Sequence, residues 1–326
     1  MYWMGIDFGG TSIVTGLVDE NKTIVDRVSV RTRVPRPIEE MADDMADMVR
    51  TLMERNGVRK DEIRSVGVGV PCTANEETGH MEDANNLGFD DVAFVPLLEE
   101  KLGLPVRIGN DANAAAWGEY MAGDYPEDSM LMVTLGTGIG GGIILNRKLW
   151  SGVNYAAGEF GHMTLCMGGV PCTCGRRGCF EAYGSATALA SQARGRMAVD
   201  KNTILWQLCG GDPMQVEAKT VFDGAWAGDT ACMELVDRYT DYLAEGIASL
   251  INIFQPALVC VGGGVSRAGD KLLTPCGKRR RKRSTPGTQS ATPESFWPSW
   301  ATTPGSWALP CWEKTVDTRT FCGIMR

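Results

Sequence analysis

Apolar residues along this chain come in short blocks, and their period changes sharply from one block to the next. Tyr2 to Asp7 is a short apolar run, followed by Gly9, Gly10 and Thr11 and then by the alternating segment Ile13 to Val18. That order predicts strand, tight glycine turn, strand: a β-hairpin, not the strand-to-helix turn of a P-loop. From Ile38 to Arg55 the apolar positions Met41, Met45, Met48, Val49, Leu52 and Met53 recur at helical spacing, so an amphipathic helix is expected. Ile63 to Val70 reads as a buried strand closed by Pro71, and Ala112 to Tyr120 as an alanine-rich helix opening directly after Gly109, Asn110 and Asp111. Ser129 to Leu135 is a further apolar strand, whose turn, Gly136 to Gly142, leads into Ile143, Ile144 and Leu145. Strand, glycine turn with threonine, strand has thus occurred twice, about 125 residues apart. The repetition predicts a duplicated α/β fold with a cleft between its halves. Leu235 to Phe254 is a long helix, and Ala257 to Val261 a last strand running into Gly262, Gly263 and Gly264.

Length and composition narrow the picture. The 326 residues suffice for two domains, and 44% hydrophobic residues imply a substantial core. The longest apolar stretches, such as Leu250 to Phe254 and Pro256 to Val261, are too short to span a membrane. The N-terminus enters a strand pattern at once, with no export signal, so a cytoplasmic location and no membrane partner are expected. Eleven cysteines in such a protein point to metal binding or reduced thiols before disulfides. The net charge of -8 conceals an imbalance, because residues 276–326 hold nine Lys and Arg against three Asp and Glu. The remainder carries -14, an unsuitable surface for nucleic acid, and no such partner is expected.

The candidate chemistry lies in the turns. Phosphate oxygens need backbone N–H groups at close approach, which glycine permits. Asp7, Gly9, Gly10 and Thr11 supply one such turn and Gly136, Thr137 and Gly138 a second, each with a threonine hydroxyl; Gly262 to Gly264 form a third glycine cluster. One glycine turn is usually just a hairpin, but two in register with Asp or Thr point to phosphate. Asp111 sits where a strand hands over to a helix, placed to take the proton of an attacking hydroxyl. Asn or Asp before an alanine-rich helix is also an ordinary cap, and both readings hold if Asn110 or Asn113 caps while Asp111 faces the cleft. His162, Cys172, Cys174 and Cys179 follow the pattern His-x9-Cys-x-Cys-x4-Cys, a closed tetrahedral set for a structural zinc. Bound by one ring nitrogen, His162 keeps the other for a ligand. Glu159 and Glu181 flank the cluster, and by themselves read as solvated charges; Asn85, Asn86, Leu87 and Gly88 read as a polar loop.

Taken together, these pieces resemble the ROK family (repressors, open reading frames, kinases), and within it the glucokinases. The resemblance runs from residue 2 to about 275, through GIDFGGTSIVTGLVD from Gly5, GVGVPCTAN from Gly67, NNLGF from Asn85, IGNDANAAAWGE from Ile108 and TLGTGIGGGIILN from Thr134. It continues in GVNYAAGEFGHMTL from Gly152, CTCGRRGCFEAYGSATAL from Cys172 and INIFQPALVCVGGGVSRAG from Ile251. EFGHMTL and CxCGxxGCxE are its specific parts. The resemblance implies an actin-like ATPase (ribonuclease H-like) fold and transfer of phosphate from ATP, with Mg²⁺, to the 6-hydroxyl of a hexose, glucose before N-acetylmannosamine, fructose or allose. It implies Asp111 as general base and Asn86, Asn110, Asp111, Glu159, His162 and Glu181 as ring-hydroxyl contacts. It further implies Asp7 with Gly9 to Thr11 and Gly136 to Gly138 at the phosphates, Gly262 to Gly264 at the adenosine, and the His162 cluster on Zn²⁺. Family members are commonly dimers or tetramers, so a homodimer or homotetramer is expected. A sugar-responsive repressor would carry a winged helix-turn-helix before this body, for which residue 2 leaves no room.

The expected lobes are 1–120 and 121–275, the latter with the zinc motif and the adenosine-side turn. After Pro275 the pattern changes: residues 276–326 hold four of the nine tryptophans and the basic run Lys278 to Arg283, then Thr-, Pro- and Ser-rich stretches with no helical or strand period. Back-translated and read one nucleotide earlier, Trp300 to Trp312 allows Leu-Gly-Asn-Asp-Ala-Gly-Ile-Leu-Gly-Ala-Ala-Met-Leu, the family's ending. A frameshift near Pro275 is therefore expected, leaving a poorly ordered tail and either a weakened kinase or an inactive kinase-like protein.

Overall fold

In the computed structural model, which describes residues 1–283 apart from Asp83, Asn85, Asn86 and Asp124, the first apolar run is strand β1 (Tyr2–Phe8). It pairs antiparallel with β2 (Ser12–Val18), Asp7 opposite Val14 and Phe8 opposite Ile13, so the glycine turn is a hairpin as expected. A third strand, β3 (Ile24–Arg31), pairs antiparallel with β2 and alternates half-buried and exposed residues, as an edge strand does. Helix α1 (Ile38–Asn56) follows, ended by Gly57 in the left-handed conformation at φ 64°. Met41, Met45, Val49 and Leu52 are buried on one stripe of α1 and pack in the core with Met4, Ile6 and Phe8 of β1. Each such side chain stabilises the fold by roughly 1.5–3 kcal/mol.

Strand β4 (Ile63–Val70) lies parallel to β1. Short strands β5 (Thr73–Asn75), β6 (His80–Glu82) and β7 (Asp91–Ala93) make a small antiparallel sheet, and α2 (Phe94–Leu102) leads to β8 (Val106–Asn110), parallel to β4. The large sheet therefore runs β3-β2-β1-β4-β8. Helix α3 (Asp111–Ala122) starts at the end of β8.

The second apolar hairpin is β9 (Met130–Leu135) with β10 (Ile139–Leu145), followed by β11 (Lys148–Leu149). Beyond a loop-rich stretch come α4 (Glu181–Gly184), α5 (Ala186–Val199), α6 (Leu205–Leu208), α7 (Ala218–Trp226) and α8 (Thr230–Phe254), then β12 (Leu258–Gly262) and α9 (Asp270–Arg283). The order of this sheet, β11-β10-β9-β12, repeats β3-β2-β1-β4 position for position. The duplication read from the turns is thus visible in the topology. Helix α8 begins five residues before its expected start, because Asp229 caps it by accepting a hydrogen bond from the Cys232 N–H at 2.9 Å.

The chain divides into two compact units, one of 1–130 with 142–158, the other holding 131–141 and, among the described residues, 159–283. The boundary differs from a simple cut at 120, since the strand pair β10–β11 contributes residues to the first unit. Close packing explains this: a Cβ on Gly142 would stand 2.2 Å from the Cβ of Ala116 in α3 and 3.1 Å from the Ala112 carbonyl oxygen. Helix α9 also corrects the expected change of pattern after Pro275. It runs on to Arg283, with Cys276 fully buried and Arg279 Nη1 donating to the Asp237 carbonyl of α8 at 2.6 Å. The apolar positions Leu272, Leu273 and Cys276 supply a helical stripe that the basic run masks. Asn86 and residues 284–326 lie outside the described residues.

Candidate active site

Register in the first sheet decides which side chains share its carboxyl edge. Asp7 of β1 is level with Gly69 of β4, and Gly69 with Gly109 of β8. Three parallel strands therefore end together, the edge where ligands bind in α/β sheets. Asp7 stands on this edge, and Asp111 two residues past Gly109. Burial, and then the charge of Asp111, push the Asp7 carboxyl up to about 7. Two carboxylates this close repel, and the edge favours a proton or a cation between them.

Asp111 is exposed at the first position of α3, and its Oδ1 accepts from the Ala112 N–H at 2.7 Å. Capping falls to Asn110, whose Oδ1 accepts from the Ala112 and Asn113 N–H groups at 3.0 and 3.1 Å. One Asn110 Nδ2 proton goes to the Cys72 carbonyl at 3.3 Å, leaving its other N–H for a ligand. The first glycine turn closes with the Gly9 N–H on the Ser12 carbonyl at 3.0 Å. Thr32, which nothing in the linear pattern marks, pins it: its N–H donates to the Thr11 carbonyl at 3.0 Å and its hydroxyl to the Gly9 carbonyl at 2.6 Å.

In the second unit the turn Gly136–Gly138 is held differently. The Ala186 N–H, at the start of α5, donates to the Gly136 carbonyl at 2.9 Å, and the Thr187 hydroxyl to the Thr137 carbonyl at 2.8 Å. Glu181 Oε2 accepts from the Ile139 N–H at 2.8 Å. The third glycine cluster lies against the same strand end: a Cβ on Gly263, at φ +83°, would stand 2.4 Å from the Leu135 carbonyl oxygen. Gly136 to Gly138 and Gly262 to Gly264 are thus neighbours, as one nucleotide would need.

The metal-ligand candidates meet as well. The ligand atoms of His162, Cys172, Cys174 and Cys179 all lie within 4.8 Å of one another. Cys172 Sγ is 3.7 Å from His162 Nδ1, and Cys174 Sγ is 3.6 Å from Cys179 Sγ. Metal–sulfur bonds of about 2.3 Å at tetrahedral angles make an edge of about 3.8 Å, which these two separations fit. Backbone bonds form the knot: Leu165 and Cys166 N–H groups donate to the Gly178 carbonyl, and Gly178 N–H to the Val170 carbonyl. Gly178 is obligatory, because at φ +81° its Cβ would stand 1.7 Å from the Cys166 carbonyl oxygen. With Nδ1 on the metal side, His162 turns Nε2 towards Glu159 Oε2 at 3.9 Å. Burial raises the Glu159 carboxyl above its ordinary range; His162 opposes this and the nearby Glu181 adds to it. Glu159, His162 and Glu181 therefore form one group beside the knot.

The chain is similar to known proteins over most of its length. The ROK family model matches residues 3–287. A glucokinase of Halalkalibacterium halodurans is 38% identical over 277 residues, covering 84% of this chain and 83% of that protein. An N-acetylmannosamine kinase of Yersinia pestis is 32% identical over 265 residues, covering 81% of this chain and 83% of that protein. Among solved structures, a ROK family glucokinase from Streptomyces griseus in complex with glucose and AMPPNP superposes with a TM-score of 0.79 at 33% identity, covering 91% of this chain and 93% of that one.

Proposed function

This chain belongs to the ROK family and is a sugar kinase of its actin-like ATPase fold, and on that premise we propose that it phosphorylates glucose at the 6-hydroxyl with ATP in the cytoplasm. The observation that carries the mechanism is the shared carboxyl edge of β1, β4 and β8, where the charge of Asp111 acts on Asp7. Asp111, exposed and rigidly placed by the capped start of α3, takes the proton of the 6-hydroxyl as that oxygen attacks the γ-phosphorus, the bond from the γ-phosphorus to the β,γ-bridging oxygen breaks and ADP leaves with that bridging oxygen. Asn110, Glu159, His162 and Glu181 orient the ring, and Asn86 is assigned with them on the family resemblance. The turns Gly9 to Thr11 and Gly136 to Gly138 present N–H groups to the phosphates, and Gly262 to Gly264 border the adenosine. Mg²⁺ arriving with ATP would supply charge neutralisation at the phosphates, and Asp7, whose carboxyl burial and the Asp111 charge push up to about 7, would suit its neighbourhood. Zn²⁺ suits His162, Cys172, Cys174 and Cys179 by donor set, and with all four bound its role would be structural because no position would stay vacant.

A coupled ADP-release assay over a hexose panel tests the assignment. Glucose is expected to give the highest kcat/KM, and absence of turnover on every hexose, by protein shown to be folded, would refute it. The N-acetylmannosamine kinase likeness makes that sugar the second candidate. Self-association as a homodimer or homotetramer is proposed with it, as is the frameshift near Pro275, which nucleotide sequencing of that region decides.

A further inference from the structure

We infer that Glu181 is a positioning residue for the second phosphate turn as well as a sugar contact, so that one carboxylate couples hexose and nucleotide binding. The inference rests on the kinase reading only for the identity of the two ligands. Its basis is geometric. Glu181 Oε2 accepts from the Ile139 N–H at 2.8 Å, at the residue that closes the turn Gly136–Gly138. The same oxygen stands 2.3 Å from where a Cβ on Gly138 would be, so this end of the carboxylate is packed against the turn. Its other oxygen, Oε1, has no partner among the described residues, and Glu159 lies close enough for the two carboxylates to repel. Glu181 is held from behind by the Cys179 ligand two residues earlier and by the start of α4.

A carboxylate gripped at both oxygens loses its rotational freedom. A ring hydroxyl donating to Oε1 fixes the plane in which Oε2 meets Ile139, and thereby fixes the turn that offers its N–H groups to phosphate. By reciprocity, each ligand then raises the other's affinity by one common factor.

Three variants test this, with zinc content and circular dichroism confirming the fold. In Glu181→Ala, Mg²⁺–AMPPNP measured by calorimetry without sugar is expected to bind at least fivefold more weakly, and glucose without nucleotide at least tenfold more weakly. In Glu181→Gln the amide oxygen can still accept from Ile139, so nucleotide affinity should stay within twofold of the parent while glucose still weakens. In Gly138→Ala the added methyl must displace the flexible carboxylate, so this change in the phosphate turn should weaken glucose at least fivefold with no nucleotide present. Amide exchange of the 134–141 segment in ligand-free protein reads the bond directly, faster in Glu181→Ala and unchanged in Glu181→Gln. Parent-like nucleotide affinity and exchange in Glu181→Ala, or parent-like glucose affinity in Gly138→Ala, would overturn the inference. A parent protein that binds neither ligand would count against the kinase reading, and the exchange measurement would still decide this one.

Discussion

The two glycine hairpins share a topology and differ in what restrains their turns. Each stands in the same strand order, β3-β2-β1-β4 and β11-β10-β9-β12. The first turn is pinned by Thr32, at the end of the neighbouring strand, through backbone and hydroxyl bonds. The second is pinned by residues 181–187, which begin two residues after the metal-ligand candidate Cys179. The first sheet goes on to a fifth strand, β8, whose handover to α3 carries Asp111; the second ends at β12 among the described residues. Duplication therefore supplied two similar grips, and chemistry was added to them unequally. The first half holds Asp7 at the end of a sheet strand and Asp111 at the start of α3, while the second turn is anchored by residues next to the backbone-bonded knot.

The sharpest test of this division is Asp111→Asn, expected to lower kcat by roughly 10²–10⁴ while leaving glucose and nucleotide affinities within a few-fold. Steady-state kinetics alongside calorimetry check it. Retention of most of the parent's kcat would move the base elsewhere.

Zinc loss should damage the second grip and spare the first. Chelation, or Cys174→Ser, is expected to weaken glucose by at least about tenfold, in the range of shells that orient ligands through a metal. Nucleotide affinity should fall with it, because Glu181 loses its footing. If chelated protein bound AMPPNP as before, the first turn alone would govern the nucleotide. Amide exchange should rise across 159–187 and remain low in β1, β2 and β3.

How far the sequence exposed this division depends on the range of each interaction. Hairpins, α1 and the knot were legible because their signals are local: a period of two or 3.6, or four ligands within eighteen residues. Asp111 was legible as a candidate base that could also be a cap, and the side-chain hydrogen bonds show that Asn110 does the capping. Thr32, Thr187 and the second duty of Glu181 were invisible, since each acts on a turn 23, 50 or 42 residues away. The stripe of α9 was hidden for another reason: charged residues dominate a helix whose buried apolar positions, among the described residues, are Leu272, Leu273 and Cys276.

The pH dependence of stability sharpens the account of the first half. Folded Asp7 keeps its proton up to about pH 7, whereas an unfolded Asp releases it near 3.8. Between those values the native state binds more protons, so ligand-free protein should lose stability as pH rises from about 4 to 7. Burial is the larger cause and Asp111 the smaller, so Asp111→Asn should flatten this slope without abolishing it. Melting temperatures across that window, for both proteins, supply the measurement; stability rising with pH through the window in the parent, once other carboxylates are accounted for by Asp7→Asn, would contradict it.

The smallest effects come from the two threonines, and they compare the grips most directly. Thr32→Val removes a hydroxyl bond to Gly9, and Thr187→Val one to Thr137. Each should cost about 1 kcal/mol, close to a fivefold loss in nucleotide affinity if the whole effect falls on the bound turn. Thr32 keeps its backbone N–H on Thr11 after the change, so its turn retains one anchor in sheet. The second turn after Thr187→Val still has Ala186 and Glu181, but Glu181, in the coupling proposed, answers to the sugar. Saturating glucose should therefore restore much of the nucleotide affinity lost in Thr187→Val and none of that lost in Thr32→Val. Equal rescue in both would mean that the two turns respond to hexose alike, and the asymmetry argued from their anchors would be gone.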